Sequence, residues 1–266
     1  GHPVEGFDLQ VELQEPGAIA GFATARAVFG TSPYGHALGG TPGSLKRISR
    51  ADVVALHRTW YRPDNAVLTL AGDITPEQGF ALAEQVFGGW ARPAAALPAL
   101  PRADIQARPQ VLVVALPGTG QAAVTVALPG IRRADPRYYA GQVTNGTLGV
   151  GFSSRLNQEI RIKRGLSYGA GSKLDARREV GPFYASAQTK NESAPEVVDL
   201  MLAELTRLRT TEAQAGELDT RKAVLTGGRG RTLESTDGVA AVLSSLALQG
   251  VPLSELSENA PDTYTV

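Results

Sequence analysis

The sequence predicts an α+β fold in which mostly antiparallel sheets pack against helices. Three observations point there. Short apolar β-prone runs alternate with amphipathic helical stripes along the chain, so neither element is segregated at one end. Val111 to Leu116 and Ala122 to Leu128 face each other across Pro117-Gly118-Thr119-Gly120, which reads as an antiparallel hairpin. Capping residues stand where helices must begin, and glycines where they must end.

In chain order, Ser49-Arg50-Ala51-Asp52 opens a helix whose apolar stripe is Val53, Leu56 and Trp60, with His57 on its face. It must stop near Tyr61-Arg62-Pro63, because a residue before proline avoids the helical region. Ala66 to Gly72 is short and apolar and reads as a buried strand. Thr75-Pro76-Glu77-Gln78 is a capping box with proline in the first turn, starting a helix that runs to Phe87 and ends at Gly88-Gly89. Residues 91–109 carry four prolines among alanines and read as an extended linker between a unit at 1–90 and a unit at 110–266.

The second unit opens with the hairpin. Asp135-Pro136 predicts a helix through about Leu148, and Ser153 or Ser154 caps another carrying Leu156, Ile160 and Arg161. Gly165 ends it. Leu166 to Lys173 and Gly181 to Thr189 read as paired strands, and Ser193-Ala194-Pro195-Glu196 as a capping box before Val198, Met201, Leu202, Leu205 and Leu208. Two more helices are expected over 212–230 and 235–249.

Composition excludes several chemistries. Hydrophobic residues make up 42% and charged residues 20%, enough for a core. Lys plus Arg and Asp plus Glu balance at 26 each, so nothing steers the chain broadly to nucleic acid, and no apolar run has membrane-spanning length. Without cysteine there is no disulfide, thiolate zinc site or cysteine nucleophile. His2, His36 and His57 are the whole histidine supply and are too far apart for the helical spacing of zinc-binding pairs; His36 reads as a loop residue. The glycine-rich runs Gly146 to Gly151 and Gly227 to Gly230 lack a phosphate-loop lysine, and Ser153-Ser154 lacks a histidine partner. Asp73 with Glu77, and Glu212 with Glu217, are spaced like solvated helix faces, and Arg161-Ile162-Lys163-Arg164 like a helix C-terminus.

Three segments add a resemblance. Ser154-Arg155-Leu156-Asn157-Gln158-Glu159-Ile160-Arg161-Ile162-Lys163-Arg164-Gly165-Leu166-Ser167-Tyr168 resembles the second-domain signature of the insulinase, pitrilysin and mitochondrial-processing-peptidase family of zinc metallopeptidases. Phe29 to Gly35 with Gly40-Thr41 is similar to the loop after that family's zinc helices, and Trp60 to Asp73 to its Tyr-x-Pro-x-Asn strand entry. The resemblance implies two related α+β domains enclosing peptide. The first carries H-x-x-E-H and a later glutamate on zinc; the second carries an Arg and a Tyr that reach the substrate. Here those positions match Arg161 and Tyr168, both as substrate-binding and as catalytic residues.

The zinc motif would precede Gly1 and the third ligand would fall near or before Asp8, so the expectation is a bacterial metalloendopeptidase fragment without metal ligands, inactive by itself. Its first domain would then be incomplete. Gly1-His2-Pro3 resembles an expression remnant, and the chain's last residues read as short of the family's closing helix. Zinc then belongs to the parent protein or a partner subunit. The alternative is a non-catalytic partner or core subunit of a heterodimeric peptidase or larger complex. Expected partners are a peptide substrate and a related subunit in a homo- or heterodimer, with no nucleic acid and no membrane span. Gln188-Thr189-Lys190-Asn191 resembles exported bacterial members, which places the periplasm ahead of the cytoplasm.

Overall fold

The computed structural model describes residues 11–257 and Tyr264; Gly1-His2-Pro3, Asp8 and most of the last residues lie outside that range. The fold is α+β, with an antiparallel three-stranded sheet packed against helices. The strands are β1 (Gln121–Pro129), β2 (Ser167–Leu174) and β3 (Pro182–Lys190), in the order β1-β3-β2. The long helices are α1 (Pro16–Phe29), α2 (Arg50–Trp60), α3 (Pro76–Phe87), α4 (Tyr138–Gly149), α5 (Ala194–Thr210), α6 (Ala215–Leu233) and α7 (Thr236–Gln249).

Strand alternation separates two faces. Val124 pairs with Ala187 and Val126 with Ala185, and these side chains, with Ala170, point to the core. Leu148 of α4, Leu156 and Ile160, and Val197 and Met201 of α5 close over them. Small alanines on the sheet let larger side chains on the helices approach and fill the layer between. The opposite face presents Thr125, Ser186 and Gln188 and is overlain by α1, which packs on β1.

Local signals fix many element ends. Thr75 accepts the Gln78 amide while Gln78 Oε1 accepts the Thr75 amide. Ser49 and Asp52 form the same reciprocal pair at the start of α2. Ser235 caps α7, which ends at Gly250.

Other expectations need correction. Residues 66–72 form no strand and are neither buried nor paired; Val67 and Leu68 are exposed, because no strand lies beside them among the described residues. Val111 to Leu116 is also unpaired, so the hairpin does not form, and β1 takes β3 as its neighbour. A continuous apolar run cannot name its own partner. The helix expected from Asp135 begins at Tyr138, since the Asp135 carboxylate turns onto the amide and guanidinium of Arg137. Ser193 makes no side-chain cap bond; a 3₁₀ turn, Asn191–Ser193, leads into α5 instead. Helix α1 was not expected from the sequence, although Pro16 stands in its first turn and Gly30, at φ 56°, at its C-cap.

Residues 91–109 carry no helix or strand, bend at Ala94 and Ala95, and are tied at several points. Arg62 donates to the carbonyls of Pro93 and Ala95, and Gln106 N–H donates to Val28 O at 2.7 Å.

Candidate functional site

Arg161 and Tyr168 come together because regular structure breaks at both. Asn157–Ile162 is π-helical, with the Lys163 amide reaching back five residues to Gln158 O at 3.0 Å. One extra residue in the turn rotates the side chains that follow, and such insertions recur at functional sites. Gly165, at φ 62°, then reverses the chain; its N–H donates to Arg161 O and the Leu166 N–H to Ile160 O.

Tyr168 sits in a bulge. Ser167 pairs with Thr189 and Ala170 with Ala187, so Tyr168 and Gly169 together oppose Gln188 alone. The extra residue turns the phenol out of the ladder. Ser167 Oγ holds the bulge by donating to Gln188 O at 2.6 Å.

The Arg161 guanidinium lies 4.9 Å from the Tyr168 ring centroid and 5.0 Å from that of Phe152. Cation–π attraction, about 0.5–1 kcal/mol at exposed sites, favours this grouping. The Tyr168 side chain is 91% exposed, so its hydroxyl is free to bind something else. Glu159, two residues before Arg161, is occupied elsewhere: Lys163 and Arg164 bond its carboxylate and hold it below the usual carboxylate range. Among the described residues no carboxylate is paired with Arg161. An unpaired guanidinium and an exposed phenol thus stand side by side. Chemically the pair can hold a carbonyl or carboxylate and donate to an oxygen that gains charge.

Beside Tyr168 lies a cavity of about 700 Å³ between the outward sheet face and α1. Tyr168 and Gly169 border it, Ser186 and Gln188 form part of its floor, and Ala20 and Thr24 of α1 form part of its wall. Small residues along α1 leave this space open.

The Ser-Arg-Leu-Asn run before Arg161 serves as scaffold. Leu156 is in the core. Buried Arg155 makes a two-point bond to Glu217 on α6, at 2.8 and 2.7 Å. Asn157 donates to Gly151 O and accepts the Ala170 amide, joining the glycine loop, the π-helical segment and β2. Sequence reading missed Phe152 and Asn157; an aromatic residue in a Gly-Ser turn, where burial is scarce, was the available signal for the first.

His57 stacks on Tyr61 on the surface of α2, and His36 lies just after a 3₁₀ turn. Among the described residues no three His, Cys, Asp or Glu side chains cluster to hold a metal ion. No described helix is long and apolar enough to cross a membrane.

Residues 47–225 match the family model described as the peptidase M16 inactive domain. The chain belongs to that family. It is 29% identical over 203 residues to an uncharacterized zinc protease of Streptomyces coelicolor, covering 74% of this chain and 44% of that protein. An uncharacterized zinc protease of Mycobacterium tuberculosis is 29% identical over 197 residues, covering 71% and 44%. This M16-family chain therefore spans less than half the length of those relatives. Among solved structures, the peptidase M16 inactive domain from Pseudomonas fluorescens superposes with a TM-score of 0.85 at 28% identity, covering 97% of this chain and 62% of that one. A Helicobacter pylori protease gives 0.89 at 21% identity, covering 99% and 64%, and shares the fold.

Proposed function

We propose that this chain is the peptide-holding part of a zinc-dependent metalloendopeptidase. The observation that carries the reading is the Arg161–Tyr168 contact: the guanidinium has no carboxylate partner among the described residues, and Tyr168 is exposed and borders a cavity. In it the Arg161 fork holds a peptide carbonyl or carboxylate, fixing the backbone beside Tyr168. The Tyr168 hydroxyl donates to the carbonyl oxygen that becomes negative as the peptide bond is attacked. In this reading the metal-dependent step is placed on another chain or another part of the protein. Relatives named as zinc proteases support that assignment. We take 1–90 and 110–266 as two related units joined by 91–109, and a homo- or heterodimer in the bacterial periplasm as the working assembly.

The test is peptide turnover by the complete zinc-bearing protein with Tyr168→Phe and Arg161→Ala. Each is expected to lower turnover by about 10²- to 10³-fold. Unchanged turnover in both would remove the pair from the site. A second reading, a non-catalytic partner or core subunit, is favoured by the family model's description as an inactive domain. Under it, the variants change assembly or peptide affinity and leave turnover elsewhere intact.

A further inference from the structure

Phe152 is the part of this surface that the proposed function leaves unused. Its ring is 60% exposed, and its centroid is 5.0 Å from the guanidinium that also meets Tyr168. An apolar ring left in water is unfavourable unless its loop has no other way to fold or something covers the ring. The loop is firmly built. Gly151 takes φ 82°, which a residue with a Cβ rarely adopts, and its carbonyl accepts from the Asn157 side chain at 2.9 Å and the Ser154 amide at 3.2 Å. Arg221, buried on α6, donates to Val150 O at 3.2 Å and to Ser153 Oγ at 3.0 Å. Residues on both sides of Phe152 are thus anchored to buried groups, and the ring is held outward by a fixed loop.

Resting on the reading of Arg161 and Tyr168 as a peptide-holding pair, we infer that Phe152 determines side-chain preference at that site. It provides an apolar wall for a large aliphatic or aromatic side chain of the bound peptide. In an extended peptide successive residues are about 3.3 Å apart, so a backbone group held by Arg161 puts a side chain of an adjacent residue within reach of a ring 5.0 Å away. Phe152 and Tyr168 both present ring surface beside Arg161, which favours a flat or bulky apolar group over a small one.

The alternative role for Phe152, propping Arg161 by cation–π contact alone, would affect all peptides alike. Fluorescence anisotropy separates the two, using the full chain and two labelled Gly/Ala/Ser decapeptides that differ in one central residue, Phe or Ala. The wild-type chain is expected to prefer the Phe peptide by about tenfold, the lower end of what an apolar contact discriminates. Phe152→Ala is expected to bring that ratio below about twofold, while Phe152→Leu retains most of it. An unchanged ratio in Phe152→Ala, including equal weakening of both peptides, overturns the inference and leaves the peptide-holding reading standing. If neither peptide binds, or Arg161→Ala and Tyr168→Phe leave both affinities unaltered, that reading fails and the inference with it.

Discussion

Asn157 Oδ1 accepts a hydrogen bond from the Ala170 amide at 3.1 Å while its Nδ2 donates to Gly151 O at 2.9 Å. One buried amide side chain therefore ties the segment carrying Arg161 to the strand carrying Tyr168 and to the loop carrying Phe152. Replacing it with alanine strips the buried Ala170 amide of its side-chain acceptor and leaves Gly151 O with the Ser154 amide alone. Asn157→Ala is expected to destabilise by about 2 kcal/mol in urea unfolding, with Asn157→Asp between the two because it keeps only the acceptor.

The Arg155–Glu217 pair should give stability a pH signature. Two-point bonding from Arg155 holds the Glu217 carboxyl below the usual glutamate range. A depressed folded pKa means that the unfolded chain binds the proton first as pH falls. The contribution is therefore complete above the pKa of an unfolded glutamate and lost as pH drops through the lowered folded value. Glu217→Gln should flatten unfolding free energy against pH across that acidic window and cost about 2 kcal/mol at neutral pH by stranding the buried guanidinium. A curve parallel to wild type would refute it.

Two glycines separate backbone strain from steric overlap. A Cβ at Gly165 would meet nothing within 4 Å, so Gly165→Ala costs only its positive φ, about 1–2 kcal/mol. A Cβ at Gly149 would overlap the Ser172 amide nitrogen and hydroxyl, forcing α4 away from β2. Gly149→Ala is expected to cost about 3 kcal/mol and to enlarge hydrogen-exchange rates along β2, which Gly165→Ala leaves near wild type.

Tyr168→Phe separates chemistry from folding. With the ring 91% exposed and its hydroxyl in no described hydrogen bond, stability should move by less than about 0.5 kcal/mol. A thermal melt that shifts by many degrees would assign the hydroxyl to the fold instead of to a ligand.

Much of the architecture was legible because it is written in short-range chemistry. Thr75 with Gln78, Ser49 with Asp52, and the Ser235 cap act within one turn, and their elements appear where the residues place them. Strand pairing is different. Val111 to Leu116 and Ala122 to Leu128 look equally suited to one another, yet β1 pairs with β3, whose alanines fit under α5. Helix α1 went unrecognised because its small residues blur any apolar stripe; its place follows from lying on the sheet.

The sequence by itself determined that helices and strands alternate, where most helices start and stop, that no histidine pair stands at zinc-binding spacing, and that Arg161 and Tyr168 are the residues to examine. Only the tertiary structure decided that these two stack, that Phe152 joins them, and that a cavity opens alongside. The physical reason is one of range. Caps and turns are settled by neighbours a few residues away. A π-helical insertion and a β-bulge acquire their directions only when buried partners such as Asn157 and Ala170 lock one element against another.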